Sequence, residues 1–430
     1  MQRPELREHV LPNGLRVLLH PARSAPVVSL QLCYHVGSAR ELPGKTGFAH
    51  LFEHLLFQGS EHVATDGHFR LITQAGGTLN GNTSFDRTHY FETLPSNQLE
   101  LALWLESDRM GFLLGGLDQR KLDNQRDVVR NEKRQNYELR PYAKAHEVLT
   151  AALFPPEHPY AHLPIGTHED LISATLDDVR TFFESWYRPD NATLVLGGDF
   201  EPDHALERVA AWFGELAPGG GFQRPTPQPH RALVEQRRTV EDNVQLPQVT
   251  LAWPTPELGH ADETALTLLA MVLSATRASV LDRALTIDEL LAKSVSCGAW
   301  HGELAGRFVI TATAAAGVEL PRLEARIREL LAKLAREGVS AAMLERMRNC
   351  AEAHFIRSMD NVSSRASAVA LSDVLRGAPL GFLSEYETLR EQTPAHLDAV
   401  LRRYLIEQPP AVVSVVPTGA SVAPTGASAA

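Results

Sequence analysis

Cysteine is scarce: Cys33, Cys297 and Cys350 are the only three in 430 residues. So few, and odd in number, they build no disulfide framework and suit a reducing compartment. A basic excess is missing too. The formal net charge is −11, which argues against nucleic-acid binding and leaves basic or neutral peptides as the easier partners. No apolar run approaches membrane-spanning length. Residues 1–9 hold no apolar stretch of the kind that opens a secretory signal, so the expectation is a cytoplasmic chain with no membrane partner. What the chain has instead is apolar bulk, 44% of its residues, enough to bury a large core over two or more domains.

One short stretch carries chemistry: His50-Leu51-Phe52-Glu53-His54. On a helix, His50 and His54 lie four apart and project from one face, where two imidazoles can share a metal. Glu53 stands beside them. A catalytic zinc takes three protein ligands and leaves a position for water, whose proton a neighbouring carboxylate can take. This order inverts the commoner His-Glu-x-x-His and is itself a metallopeptidase signature. The competing reading is two ordinary histidines on a half-buried amphipathic helix, since the chain holds 18 His. The flanks favour a metal. Thr46-Gly47 starts a helix, Gly59 stops it, and Phe48, Leu51, Phe52, Leu55, Leu56 and Phe57 make it apolar nearly all round. Such a helix is buried, and three ionisable groups on it need a partner, of which a divalent cation is the simplest.

A third ligand has to come from elsewhere. Residues 117–140 read as a long charged helix with Leu122, Val128 and Val129 on its apolar side, and spacing does not choose among its Asp127, Glu132 and Glu138.

The run Gly47-Phe48-Ala49-His50-Leu51-Phe52-Glu53-His54-Leu55-Leu56-Phe57, taken with Arg126-Asp127-Val128-Val129-Arg130-Asn131-Glu132, resembles the pitrilysin family of zinc peptidases. That group includes insulin-degrading enzyme and the mitochondrial processing peptidases. The resemblance implies zinc held by His50, His54 and Glu132, the last 132 − 54 = 78 residues beyond His54, with Glu53 as general base. Some members carry a further acid seven positions before the ligand Glu; here that position is Gln125, which removes a supporting carboxylate. The stretch from Gly76 to Tyr90 also follows the family pattern, with Gly81 where Ala is usual. From the residues alone it is a turn into a short strand with a polar edge. The resemblance implies that this edge binds an extended substrate through Asn80, Gly81 and Thr83. His158-Pro159-Tyr160 and Pro164-Ile165-Gly166 match as well and are read as packing and loop geometry.

The organisation fits two α+β domains, each a mainly antiparallel sheet with helices packed on one face. Asn13-Gly14 between apolar runs signals a hairpin, and residues 27–34 a third strand. A Pro/Gly-rich linker at 218–230 separates a metal-bearing domain, 1–217, from a second domain, 231–416. Leu176-Asp177-Asp178-Val179, a helix and the strand at 192–196 close the first. Leu397-Asp398-Ala399-Val400, a helix and the strand at 411–416 close the second, offset by 397 − 176 = 221 residues. This internal repeat predicts homologous domains, only the first with a metal motif. Residues 417–430, with Pro-Thr-Gly-Ala-Ser twice, read as a disordered tail.

The second half predicts a helix at 261–275 and a hairpin at 294–314. Relatives that complete the site from here carry an Arg and, seven residues on, a Tyr; Thr286 and Lys293 occupy those positions, with Arg277 and Arg283 nearby. The expectation is therefore a zinc endopeptidase for short unstructured peptides, working as the catalytic subunit of a heterodimer whose zinc-less homologue supplies the Arg/Tyr pair. A homodimer, a non-catalytic assembly subunit and a dedicated peptide-maturation factor are the alternatives.

Overall fold

The computed structural model describes residues 5–221, 223–228 and 234–419. The linker read at 218–230 lies partly, and the tail read at 417–430 mostly, outside the described residues.

β1 (Arg7–Val10) and β2 (Arg16–Pro21) pair antiparallel around Asn13-Gly14, as the Asn-Gly signal predicts. With β3 (Val27–Tyr34), β4 (Thr78–Thr83), β5 (Thr88–Pro95) and β6 (Ala192–Gly198) they form a six-stranded sheet ordered β1-β2-β6-β3-β5-β4. The second sheet takes β7 (Gln236–Asp242), β8 (Gln248–Thr255), β9 (Ala292–His301), β10 (Gly306–Ala314) and β11 (Ala411–Pro417) in the order β7-β11-β8-β10-β9. Both are mainly antiparallel, and each has one parallel pair, β2 with β6 and β7 with β11. From β2 onward the two orders superimpose, matching β6 to β11. Those strands start 411 − 192 = 219 residues apart, close to the offset of 221 read between Leu176 and Leu397. The faint repeat in the sequence is a repeat of topology.

In β3 and β6 nearly every residue is buried, without the alternation of a one-sided sheet, so both faces are covered. Val17, Leu19, Leu30, Leu32, Leu194 and Leu196 point into the main core, under the helices of their own half. Leu18, Cys33 and Val195 point the other way, against Ala366, Val369, Ala370 and Val374 of helix Val362–Arg376, which comes from the far half of the chain. Arg16 fastens that helix through a two-pronged pair with the buried Asp373 carboxylate, at 2.8 and 2.7 Å. The exchange runs both ways. Helix Lys144–Leu153 packs on β7, β8 and β11 of the second sheet, where Ala252, Ala411, Val413 and Val415 join the core of the first half. The expectation of helices on one face thus holds within each half, and the opposite face receives a helix from the other. Each fully buried Val or Leu contributes about 1.5–3 kcal/mol relative to exposure, so apolar burial binds the halves together.

A buried polar cluster joins them as well. Glu303, between β9 and β10, meets His35 Nε2 at 2.6 Å, and Arg224 and Arg40 at 3.2 and 3.7 Å. Its backbone N–H donates to Asp86, whose carboxylate also accepts from the Tyr160 hydroxyl. Tyr160, which also accepts from the Leu304 N–H at 3.0 Å, therefore links the two halves, and His158 Nε2 lies 2.8 Å from the Gln228 carbonyl oxygen.

Candidate metal centre and peptide-binding edge

The motif segment forms helix Phe48–Leu55, with Phe48, Ala49, Leu51, Phe52 and Leu55 buried. It begins at Gly47, whose φ of 90° lies in the left-handed region that favours glycine. A Cβ on Gly47 would sit 2.9 Å from the Ile165 carbonyl oxygen, and one on Gly166 would sit 2.4 Å from the Gly47 nitrogen. Two backbones meet there, which is what Pro164-Ile165-Gly166 provides.

The helix start holds a residue that no local pattern announced. Glu41, its side chain fully buried, accepts from the backbone N–H of Gly47 and of Ala49 at 2.8 Å each, and meets His162 Nε2 at 2.8 Å. Burial pushes the Glu41 carboxyl up, and the His162 hydrogen bond acts against that. An acid here satisfies two orphan N–H groups and complements the positive end of the helix. Glu41→Ala is expected to cost about 1–2 kcal/mol, the loss of a helix cap, seen as a lower Tm. An unchanged Tm would leave the cap without a structural role.

His50 and His54 project from one face of the helix, their ring centroids 4.8 Å apart. The Glu132 carboxylate arrives from helix Gln119–Lys133, with Oε2 at 3.3 Å from His54 Nε2 and 3.7 Å from His50 Nε2. One ligand atom from each of the three lies within 4.8 Å of the others. The remaining candidates point elsewhere: Asp127, its side chain 71% exposed, pairs with Arg130, and Glu138 pairs with His168 at 2.7 Å. Four residues beyond Glu132, Asn136 Nδ2 reaches its Oε1 at 3.4 Å from a wider, π-type turn, Arg134–Glu138.

Burial drops the His50 pKa to about 4, aided by His54 and opposed by Glu132. The His54 hydrogen bond holds the Glu132 carboxyl below its usual range, against burial. Two imidazole nitrogens and a carboxylate match a zinc donor set. Tetrahedral bonds of about 2.1 Å separate donors by about 3.4 Å, close to the spacings seen here. His50 Nδ1 is buried with no hydrogen-bond partner, so packing alone orients that ring from behind. Gln125, standing where some relatives carry an acid, is buried on the same charged helix.

Glu53 Oε2 accepts a hydrogen bond from Thr83 Oγ1 at 2.7 Å. Burial pushes the Glu53 carboxyl up, and the Thr83 bond opposes it. Thr83, expected to touch substrate, is thus engaged with Glu53. It lies on β4, the edge strand of its sheet, which also carries Asn80 and Gly81. The Asn80 side chain accepts from the Gly81 backbone N–H at 2.8 Å. A Cβ on Gly81 would lie 3.1–3.2 Å from Glu53, Phe57 and Tyr90, so the glycine lets this edge press against the helix.

In the second half, Thr286 donates to the Asp282 carbonyl oxygen at 2.7 Å and Lys293 is exposed on β9. They share a cavity wall with Arg277, and no tyrosine lines that cavity. A larger cavity, about 790 Å³, lies between the halves, bounded by Asn136, Tyr137 and Arg140 on one side and by β8, β9 and β10 on the other.

Known proteins resemble this chain in sequence and fold. A family model described as Insulinase (Peptidase family M16) matches residues 16–162, and one described as Peptidase M16 inactive domain matches residues 173–350. The zinc protease PqqE of Helicobacter pylori is 28% identical over 390 residues, covering 89% of this chain and 86% of that one. A probable mitochondrial-processing peptidase subunit beta of Arabidopsis thaliana is 23% identical over 425 residues, covering 96% and 79%. The crystal structure of a protease from Helicobacter pylori superposes with a TM-score of 0.90 at 26% identity, covering 96% of this chain and 100% of that one. With two models of one family matching residues 16–162 and 173–350 in succession, 147 + 178 = 325 of the 430 residues, and a solved structure alike over its full length, the chain belongs to peptidase family M16, the pitrilysin-type zinc peptidases.

Proposed function

We propose that this chain is the metal-bearing subunit of a zinc endopeptidase that cuts short, unstructured peptides. One observation carries the reading: donor atoms of His50, His54 and Glu132 converge within 4.8 Å, with Glu53 on the same short helix as the two histidines. Zinc held by those three would polarise the scissile carbonyl and make water acidic enough to lose a proton near neutral pH. Glu53 takes that proton and hands it to the leaving amine. The Thr83 hydroxyl holds one Glu53 oxygen and leaves the other free for the transfer. A substrate in extended form adds to the outer edge of β4, where Asn80 and Gly81 present backbone and side-chain groups.

Thr286 and Lys293 supply no Arg/Tyr pair to steady the developing oxyanion, and losing one such donor costs about two to three orders of magnitude in rate. We assign that task to a homologous, zinc-less second subunit. A non-catalytic role is the competing reading within the family. Residues 173–350, matched by the inactive-domain model, contain no cluster of potential metal ligands among the described residues, whereas residues 16–162 hold a full donor set. The test is cleavage of a mixed peptide pool, read by mass spectrometry, for the zinc-loaded chain alone and mixed with a zinc-less homologue. The expected result is silence alone and cleavage in the mixture. Cleavage by the chain alone would discard the heterodimer, and silence in both would favour the non-catalytic role.

A further inference from the structure

We propose that the cavity between the two halves is a subsite for a carboxylate of the peptide, recognised by Arg307 with Arg140 beside it. The proposal rests on the peptidase reading and names the substrate chemistry of that same site.

The charge of the cavity runs against the charge of the chain. Acids outnumber bases 52 to 41 overall, yet the walls of this cavity of about 790 Å³ hold Arg140, His146 and Arg307 and no Asp or Glu. Burial lowers the His146 pKa, reinforced by Arg307 and Arg140, so the ring is neutral near pH 7 and the two guanidiniums carry the charge.

Arg307 is the stronger observation. It sits half-buried on β10, and among the described residues no carboxylate pairs with it. The residues outside that set contain no Asp or Glu, so the chain keeps no side-chain carboxylate in reserve for it. Its guanidinium lies 5.3 Å from the centre of the Trp300 ring, its cross-strand neighbour. Trp300 is wedged in turn between Phe85 and Tyr160, at 5.2 and 5.3 Å. This cation–π contact holds the guanidinium at the ring, and among the described residues no hydrogen bond takes up its N–H fork. A partly desolvated cation without a counter-ion is costly to keep, and a two-pronged carboxylate is the ligand that matches the fork.

The cavity adjoins the candidate metal centre. Asn136 lines it and also reaches Glu132 Oε1. A peptide with its scissile bond at the metal can therefore send a neighbouring residue, or its own C-terminus, into this space. Its volume is in the range that encloses small ligands, room for one or two residues.

The test uses the full chain carrying Glu53→Gln, zinc-loaded, so that binding is read without turnover. Fluorescent, C-terminally amidated peptides of one neutral, extended sequence carry a single Glu walked along successive positions, with Gln in its place as the reference. A further arm restores the free C-terminal carboxylate. Anisotropy is expected to show roughly tenfold tighter binding for one position of Glu, or for the free C-terminus, which tells the two sources apart. The preference should shrink as salt rises. Arg307→Met should abolish it without weakening the neutral peptide, and Arg307→Lys should restore part of it. Equal affinities across the whole set, no binding at all, or a preference that survives Arg307→Met would overturn the proposal. The first comparison needs no change at Arg307, so a misfolded variant cannot decide it. A carboxylate preference in a chain that never cleaves, with or without a second subunit, would defeat the peptidase reading and leave the subsite standing. Cleavage without the preference would do the reverse.

Discussion

Glu53→Gln is expected to bind about one zinc per chain, like the parent, and to lose about three orders of magnitude in cleavage rate, the span of a single general base. The amide has the size of the carboxylate, and its oxygen can still accept from Thr83 Oγ1, so the helix and the three metal donors keep their places. What disappears is the ability to take a proton. Metal analysis together with rates in the cleavage-competent assembly separates the two effects. Turnover above about a tenth of the parent rate would remove Glu53 from the proton-transfer step, because general-base catalysis contributes at least about a hundredfold.

His54→Ala is expected to empty the metal site and abolish cleavage. Removing His54 leaves two of the three converging ligands, and Glu132 also loses its nearest partner, at 3.3 Å. Zinc bound at about a thousandfold over its dissociation constant stabilises the folded state by about 4 kcal/mol. A chelator should therefore lower the parent Tm by several degrees and leave that of the His54→Ala protein where it was. Asp127→Ala is the control: this side chain faces solvent beside Arg130, and its loss should change neither zinc content nor Tm. A parent protein whose Tm ignores chelation would refute zinc binding at this site.

The four central residues were legible in different degrees. His50, Glu53 and His54 lie within one helical turn and a half, so local spacing placed them on one surface before any fold was known. Glu132 was one of three acids on a charged helix; spacing did not choose among them, the family resemblance pointed to Glu132, and the crossing of that helix over the motif helix brings its carboxylate, not that of Asp127 or Glu138, to the histidines. Thr83 was assigned to the substrate edge, and its bond to Glu53 could not be read, because it depends on how closely Gly81 lets β4 approach the helix. Glu41 left no trace at all; its partners are Gly47 and Ala49 at the start of the motif helix and His162, 121 positions away in the chain.

Periodicity, turn residues and the five-residue motif determined by themselves the helix bearing the histidines, the opening hairpin, the α+β class and the doubling of the architecture. Each of these is a local property, or a local property repeated at a fixed offset. Tertiary structure alone decided the rest: the exchange of helices Val362–Arg376 and Lys144–Leu153 between the halves, the convergence of the three donor atoms within 4.8 Å, and the positive cavity inside an acidic chain. The physical reason is common to all three. A face of a sheet, a point in space near a metal and the sign of a local field are each assembled from residues far apart in the chain, and net composition averages them away.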